Sequence, residues 1–297
     1  MAEATIPVDP TNPGQVFACL GLMEAAEVLC GPVMGWFDLT IGGEAFSLEV
    51  PGGSDPVSEV IDFLAACDLR RVAPPPKDVN WPAEVAVRLE FPSAGTNPNS
   101  GKQVSLGSLP VELVRKSNII PITHWADDLR SENMKTFAGQ QVGADILLKL
   151  LRGGSTRDQR CSVESIFRDN NKTLSISPFE STGIVSARFG FDARGAWDAL
   201  RAGTSLDNLS ISVQVSPLVE VLCAIGLQYA RPQTDQRQFI YEIWSEPLPV
   251  LLARPAVSNV EAILPGTPSS IFRRFRSHTG SDKYYKKWFF AKEETPI

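Results

Sequence analysis

Residues 12–50 read NPGQVFACLGLMEAAEVLCGPVMGWFDLTIGGEAFSLEV, and this stretch decides the fold class. Asn12 is suited to cap the free amides of a helix, and Pro13 fits its first position. Phe17, Leu20, Leu22, Met23, Ala26 and Leu29 then make a broad apolar face. Gly31-Pro32 ends the helix. GWFDLTI reads as a strand, Gly42-Gly43 as a tight turn, and EAFSLEV as the returning strand. A helix that runs into a hairpin is a mixed, antiparallel beginning. The Phe17/Leu20 face is expected to pack on a sheet containing Trp36 or Phe37.

Outward from there, Asp55-Pro56 starts a second helix that reaches about Cys67. Ala73–Lys77 holds three consecutive prolines and reads as a stiff linker. EVAVRLEF alternates as a strand, residues 92–103 form a polar loop, and Ser117–Thr123 is a further strand. Ser131–Leu151 reads as a long helix closed by Gly153-Gly154. GIVSARFGF, LSISVQV and QFIYEIWS read as strands, and Ser216-Pro217 opens a helix through PLVEVLCAIGLQYA. Hairpin signals dominate and regular strand–helix–strand alternation is missing. The expected class is therefore α+β, with mainly antiparallel sheets and packed helices. FACLGLM at 17–23 echoes LCAIGLQ at 222–228, with Gly21 matching Gly226. Two helix–strand units related by duplication would give this echo, and so would two similar amphipathic helices arising by chance.

Charge divides the chain. Net charge is −6 overall, but residues 1–101 carry 4 basic and 14 acidic groups. Residues 115–172 carry 10 basic and 7 acidic groups, and residues 273–297 carry 7 and 3. This asymmetry suggests one acidic region and one or two basic contact surfaces. Three regions are expected: an acidic α+β region over 1–116, a basic helical region over 117–172, and an α+β region with a basic aromatic tail over 173–297. The N-terminus has no signal-peptide pattern, and apolar stretches such as Val215–Leu227 are too short for a bilayer. A soluble, cytoplasmic protein without membrane contact is expected.

Little in the sequence points to catalysis. The five cysteines are widely spaced, with no CxxC pair, so neither a disulfide framework nor a zinc site is expected. Cys19 and Cys223 sit in apolar helical patterns and read as buried thiols. Only two histidines occur, His124 and His278. Asp127-Asp128 on a polar turn reads as solvated rather than metal-binding. His278 among basic residues is placed for metal-independent RNA cleavage, but no second acid–base partner is evident near it. The plainer reading is a surface histidine. No cofactor and no metal are expected.

The clearest nucleic-acid signal is the tail. Arg273, Arg274, Arg276, Lys283, Lys286, Lys287 and Lys292 interleave with Tyr284, Tyr285, Trp288, Phe289 and Phe290. Cations neutralise phosphates and release counterions, and rings stack on unpaired bases. The alternative is that the rings pack on the core and the cations face water. A second candidate is THWADDLRSENMKTFAGQQ at 123–141, where Lys135, Gln140 and Gln141 could meet phosphates or base edges. Periodicity alone favours a helix with one buried ring there. The polar loop Asn97–Gln103 is a further exposed candidate.

These segments together resemble a type I-U (I-G) CRISPR-associated family. The resemblance is carried by NPGQVFACLGLMEAAEVL followed by GWF, by HWADDLRSENMKTFAGQQ, by FDARGAWDALRAG, by SPLVEVLCAIGLQYARPQ and by YEIWSEPLPV, in that order over most of the chain. Two departures are His124-Trp125, where the family tends to DWW, and Phe137 in place of a tryptophan. The chain is also short for a large subunit and lacks a terminal four-helix module. The resemblance implies a non-catalytic subunit of a Cascade-type surveillance complex that contributes to target DNA recognition, duplex opening and assembly. Its implied partners are guide RNA, target DNA, other CRISPR effector subunits and a helicase–nuclease recruited on target binding. In such complexes guide pairing reads the sequence. The rivals are a guide-RNA-processing ribonuclease using His278 and a purely structural scaffold.

Overall fold

The structure, a computed structural model, describes residues 1–40, 42–72, 90–91, 111–122, 143–153, 160–168, 177–196, 213–235, 238–266, 268–279 and 287–294. Among these lie seven α-helices and twelve strands, arranged with three antiparallel four-stranded sheets. The protein is α+β, as the hairpin signals imply.

The first sheet has the order β1 (Ala2–Pro7), β3 (Ala45–Val50), β2 (Met34–Asp38), β10 (Leu248–Pro249). Its hairpin is the one read from GWFDLTI and EAFSLEV, with Phe37 opposite Phe46. β1 is an addition, because its six residues carry an acid and no strong alternation in the sequence. β10 comes from the far end of the chain and pairs with Met34 and Gly35. The second sheet has the order β12 (Lys292–Glu294), β11 (Phe272–His278), β9 (Gln238–Trp244), β8 (Gln233–Asp235). The third joins β5 (Glu90–Phe91), β4 (Asp68–Val72), β6 (Val111–Arg115) and β7 (Asn118–Ile122).

Helix α1 runs Pro13–Cys30, capped by the Asn12 side chain accepting from the Gly14 amide and closed by Gly31 at φ 96°. Helix α2 (Pro56–Ala66) is capped by Asp55 in the same way. Each such cap stabilises by about 1 kcal/mol. Helices α3 (Gly143–Arg152), α4 (Val163–Phe167), α5 (Pro217–Gly226), α6 (Val250–Ala256) and α7 (Val260–Ile263) follow. Residues 131–142 of the expected long helix lie outside the described residues, as do most of EVAVRLEF and the loop 92–103.

Helices α1 and α5 form the centre. They cross where Gly21 meets Gly226: a Cβ on Gly21 would stand 1.8 Å from the Leu222 carbonyl oxygen, and one on Gly226 would stand 2.3 Å from that of Phe17. The sequence echo therefore marks a helix–helix contact; it does not show a duplication. Around the crossing, Val16, Phe17, Leu22, Leu218, Val221 and Ile225 are buried in one continuous core. Helix α1 is long and apolar enough to cross a membrane by length and composition, but most of it is enclosed by the rest of the chain. Cys19 and Cys223 are buried, as their apolar settings suggest.

Two expectations change. Phe17 does not face Trp36 or Phe37. Its ring meets Tyr241 at 6.0 Å and Trp288 at 5.6 Å, on the side of the C-terminal sheet. The first sheet instead meets α1 through Gly35, which lies against Met23, while Phe37 packs edge-on against Trp244 at 5.3 Å. The helix turns its early face and its later face towards different sheets. Second, GIVSARFGF is not a strand; among the described residues its only ladder contact is an isolated bridge between Gly183 and Val215. The amides at its end bond a side chain instead: Phe189 and Gly190 donate to Glu220 Oε2 at 2.7 and 2.9 Å.

Candidate nucleic-acid interface

The start of the basic segment expected as a tail, Phe272–His278, is a strand. β11 lies between β9 and β12, and its side chains alternate. Phe275 and Ser277 are buried, while Arg274, Arg276 and His278 point to the other face. Opposite them on β9 stand Glu242, Ile240 and Gln238; on β12, Glu294 and Lys292 stand opposite Arg274 and Arg276. The strand escapes sequence reading because FRRFR spaces its rings by three, which blurs the two-residue period.

Register brings acids to these cations. Arg274 contacts the Glu242 carboxylate at 2.5 Å, and Arg276 contacts Glu294 at 2.5 Å and Gln238 at 3.2 Å. Arg273, on the other face, binds Glu293 at 2.6 Å and Glu44 at 3.0 Å. The Arg273 guanidinium holds the Glu293 carboxyl below its usual value. The charge that local sequence assigns to solvent at Arg273, Arg274 and Arg276 is met by carboxylates from elsewhere in the chain. An ion-paired guanidinium still offers donors, since it has five N–H groups. Arg274 and Arg276 keep side-chain exposures of 42% and 39%, so each retains an open edge.

Glu242 is buried and also accepts the Val260 amide at 2.6 Å, which anchors α7. Removing its cation leaves a buried carboxylate short of a partner. Arg274→Ala should therefore cost about 2 kcal/mol in urea unfolding, and much less in a Glu242→Gln background. Equal costs in both backgrounds would show that the pair is not coupled.

The aromatic residues divide. Trp288 is fully buried and packs against Phe17, Phe191 and Phe239. Phe289 stacks on His278 at 4.7 Å with nearly parallel rings, and Phe290 is exposed. His278 is exposed at the end of β11. The exposed face of this sheet thus presents Arg276, His278, Lys292 and the neighbouring Phe289 and Phe290. Cations beside rings of this kind suit phosphates and unpaired bases. Lys287 lies next to Trp288 and is half-buried. Lys283, Lys286, Tyr284 and Tyr285 lie outside the described residues, as do Lys135, Gln140, Gln141, His124 and Asp127-Asp128.

On the other side of β11, a cleft of about 770 Å³ is lined by Thr5, Pro7, Asp9, Glu44, Glu180 and Arg273, among others. It holds three carboxylates for one guanidinium that is already paired twice. Its charge is unfavourable to phosphate, which leaves the outer face of the sheet as the candidate. Among the described residues, no group of three or more His, Cys, Asp or Glu side chains is arranged to hold a metal ion.

Sequence reading missed a buried polar junction that holds the two central helix starts together. Asp192 accepts from Asn12 Nδ2 at 2.9 Å, from the Ser216 amide at 2.9 Å and from Arg194 Nε at 3.0 Å. Asn12 in turn accepts from the Ala193 amide at 3.1 Å. One loop carboxylate thus ties together the residues that cap α1 and α5. Asn-Pro and Ser-Pro were legible as caps, but their common partner was not.

The chain matches no family model, no curated protein and no solved structure.

Proposed function

We propose that this chain is a non-catalytic subunit of a type I CRISPR RNA-guided surveillance complex, contributing to target DNA recognition, duplex opening and assembly. One observation supports this reading most. Four of the segments that carry the resemblance to the type I-U family are near one another among the described residues; HWADDLRSENMKTFAGQQ lies outside them. NPGQVFACLGLMEAAEVL is α1, FDARGA contains the Asp192 junction, SPLVEVLCAIG is α5, and YEIWSEPLPV is the end of β9 with β10. These pieces are scattered in sequence and adjacent in the fold, as parts of one inherited core would be. Within the complex, the outer face of the C-terminal sheet and the neighbouring lysines contact phosphates, and guide pairing reads sequence.

A scaffold without nucleic-acid contact is the second reading. It is favoured by the carboxylate partners of Arg273, Arg274 and Arg276. Lys286→Ala/Lys287→Ala in the assembled complex separates the two. Under the first reading the salt slope of target binding falls by about two units, similarly across sequences, because phosphate contacts position without specifying. An unchanged slope with intact assembly gives the scaffold reading the lead. Variants of Lys135, Gln140 or Gln141 should lower discrimination more than affinity if that segment reads base edges.

A further inference from the structure

The cleft beside Arg273 has a volume of about 770 Å³, within the range of about 300–1,000 Å³ typical of small-molecule sites. Four parts of the chain wall it: β1, the β2–β3 turn with the start of β3, the segment that leads into α1, and the turn Pro178–Glu180. Pro7, Val8, Pro10 and Ala45 make part of that wall apolar, and Asp9, Glu44 and Glu180 bring carboxylates to it. Apolar walls with a few polar groups are the usual make-up of a ligand site.

The carboxylates are short of positive charge. Arg273, the cation that lines the cleft, is shared between Glu44 at 3.0 Å and Glu293 at 2.6 Å. Glu44 also accepts the Gly42 amide at 3.1 Å. Asp9 accepts the Thr11 amide at 2.9 Å and the Thr11 hydroxyl at 2.6 Å, both on Oδ1, and forms no ion pair among the described residues. Glu180 has a side chain 64% exposed and meets Arg194 only at 3.9 Å. That guanidinium is already held by Asp192 at 2.9 Å. Asp9 and Glu180 therefore keep acceptor capacity that the described residues do not use, beside apolar walls that strengthen any charge pairing made there. The acids do not form a group able to hold a metal ion. Carboxylates set apart along an apolar wall instead match ammonium groups on an aliphatic stem. The ammonium makes charge-assisted hydrogen bonds, and the methylenes cover the prolines.

We infer that this cleft binds an organic cation that carries ammonium groups on an aliphatic stem. Asp9 and Glu180 take the ammonium groups, and Pro7, Pro10 and Ala45 take the methylenes. A free polyamine and the lysine side chains of a partner offer the same chemistry. The inference rests on the cleft alone and stands whichever reading of the basic sheet holds.

The probes are spermidine for the free source and a short lysine–glycine peptide for the partner, each titrated into the full chain by calorimetry at about 0.15 M salt. Saturable binding at one site is expected, and whichever probe binds more tightly identifies the source. Asp9→Asn keeps the Oδ1 acceptor for Thr11, and Glu180→Gln alters an exposed side chain, so both should fold as the parent does. Each should weaken binding about twofold to fivefold, and the pair together about fivefold or more. Glu261→Gln removes the same charge from an exposed position on α7, away from the cleft, and should leave affinity unchanged. Magnesium at matched ionic strength should not displace the probe. No saturable binding of either probe overturns the proposal. So does an equal loss in Glu261→Gln, since the probes would then be answering net charge alone. Displacement by magnesium does the same. Unchanged affinity in Glu180→Gln overturns it even where Asp9→Asn fails to fold.

Discussion

Gly21→Ala should remove at least about 4 kcal/mol of stability, a large fraction of the roughly 5–15 kcal/mol that holds an ordinary domain folded. The cause is a single methyl group. Its carbon would stand 1.8 Å from the Leu222 carbonyl oxygen and 2.7 Å from the carbonyl carbon. Both atoms are backbone, so no rotamer change relieves the clash. The helices must move apart, and the buried side chains packed around the crossing lose their contacts together. Gly226→Ala meets the same obstacle from the other side, at 2.3 Å from the Phe17 oxygen. Since either methyl forces the same separation, the double variant should lose clearly less than the two single losses combined. Gly43→Ala is the control, because nothing lies within 4 Å of a Cβ there. It should change stability by less than about 0.5 kcal/mol. Urea unfolding of the four variants tests the claim. A Gly21→Ala protein as stable as Gly43→Ala would mean that the helices do not cross at these glycines.

That crossing shows what one sequence discloses. The caps at Asn12 and Asp55, the stop at Gly31 and the β2–β3 hairpin are local devices, each completed within a few residues. Local chemistry is legible in order along the chain. Gly21 and Gly226 were visible as an echo, but nothing local says that two similar helices touch. The misread segment 183–191 fails for a related reason. Its period suits a strand, yet the Phe189 and Gly190 amides bond a carboxylate some 30 residues away, which removes them from any ladder. The basic strand fails by charge. Arg273, Arg274 and Arg276 count as positive in any window, while Glu44, Glu242, Glu293 and Glu294 reach them through register and tertiary contact. A candidate site drawn from charge runs therefore overstates the free charge wherever antiparallel pairing brings acids alongside.

Glu220→Ala should cost about 4 kcal/mol, and Glu220→Gln should change how stability depends on pH. The carboxylate is fully buried and accepts three backbone amides, those of Phe189, Gly190 and Asp192. Alanine strands all three, at about 1–3 kcal/mol each before relaxation. Glutamine keeps one acceptor oxygen, which suits the Phe189 and Gly190 amides, and turns an N–H₂ towards the Asp192 amide. The pH effect follows from where the group titrates. Burial raises its pKa, the Asp192 amide opposes that rise and the Asp192 charge adds to it, and the result is a carboxyl pushed up from 4.5 to about 7. Between these values the folded protein holds a proton that the unfolded chain has released. The stability from this proton is complete below about pH 4.5 and is lost as pH rises through about 7. Glutamine cannot titrate, so the variant lacks this loss. Its deficit relative to the parent should be largest near pH 5 and shrink towards pH 8, by up to about 1.4 kcal/mol per pH unit between. Groups remote from Glu220 titrate equally in both proteins and cancel in the difference. Urea unfolding of the pair at four pH values from 5 to 8 reads the deficit directly. A deficit that stays constant, or grows with pH, would mean that Glu220 is ionised throughout and that its three amide donors outweigh its burial.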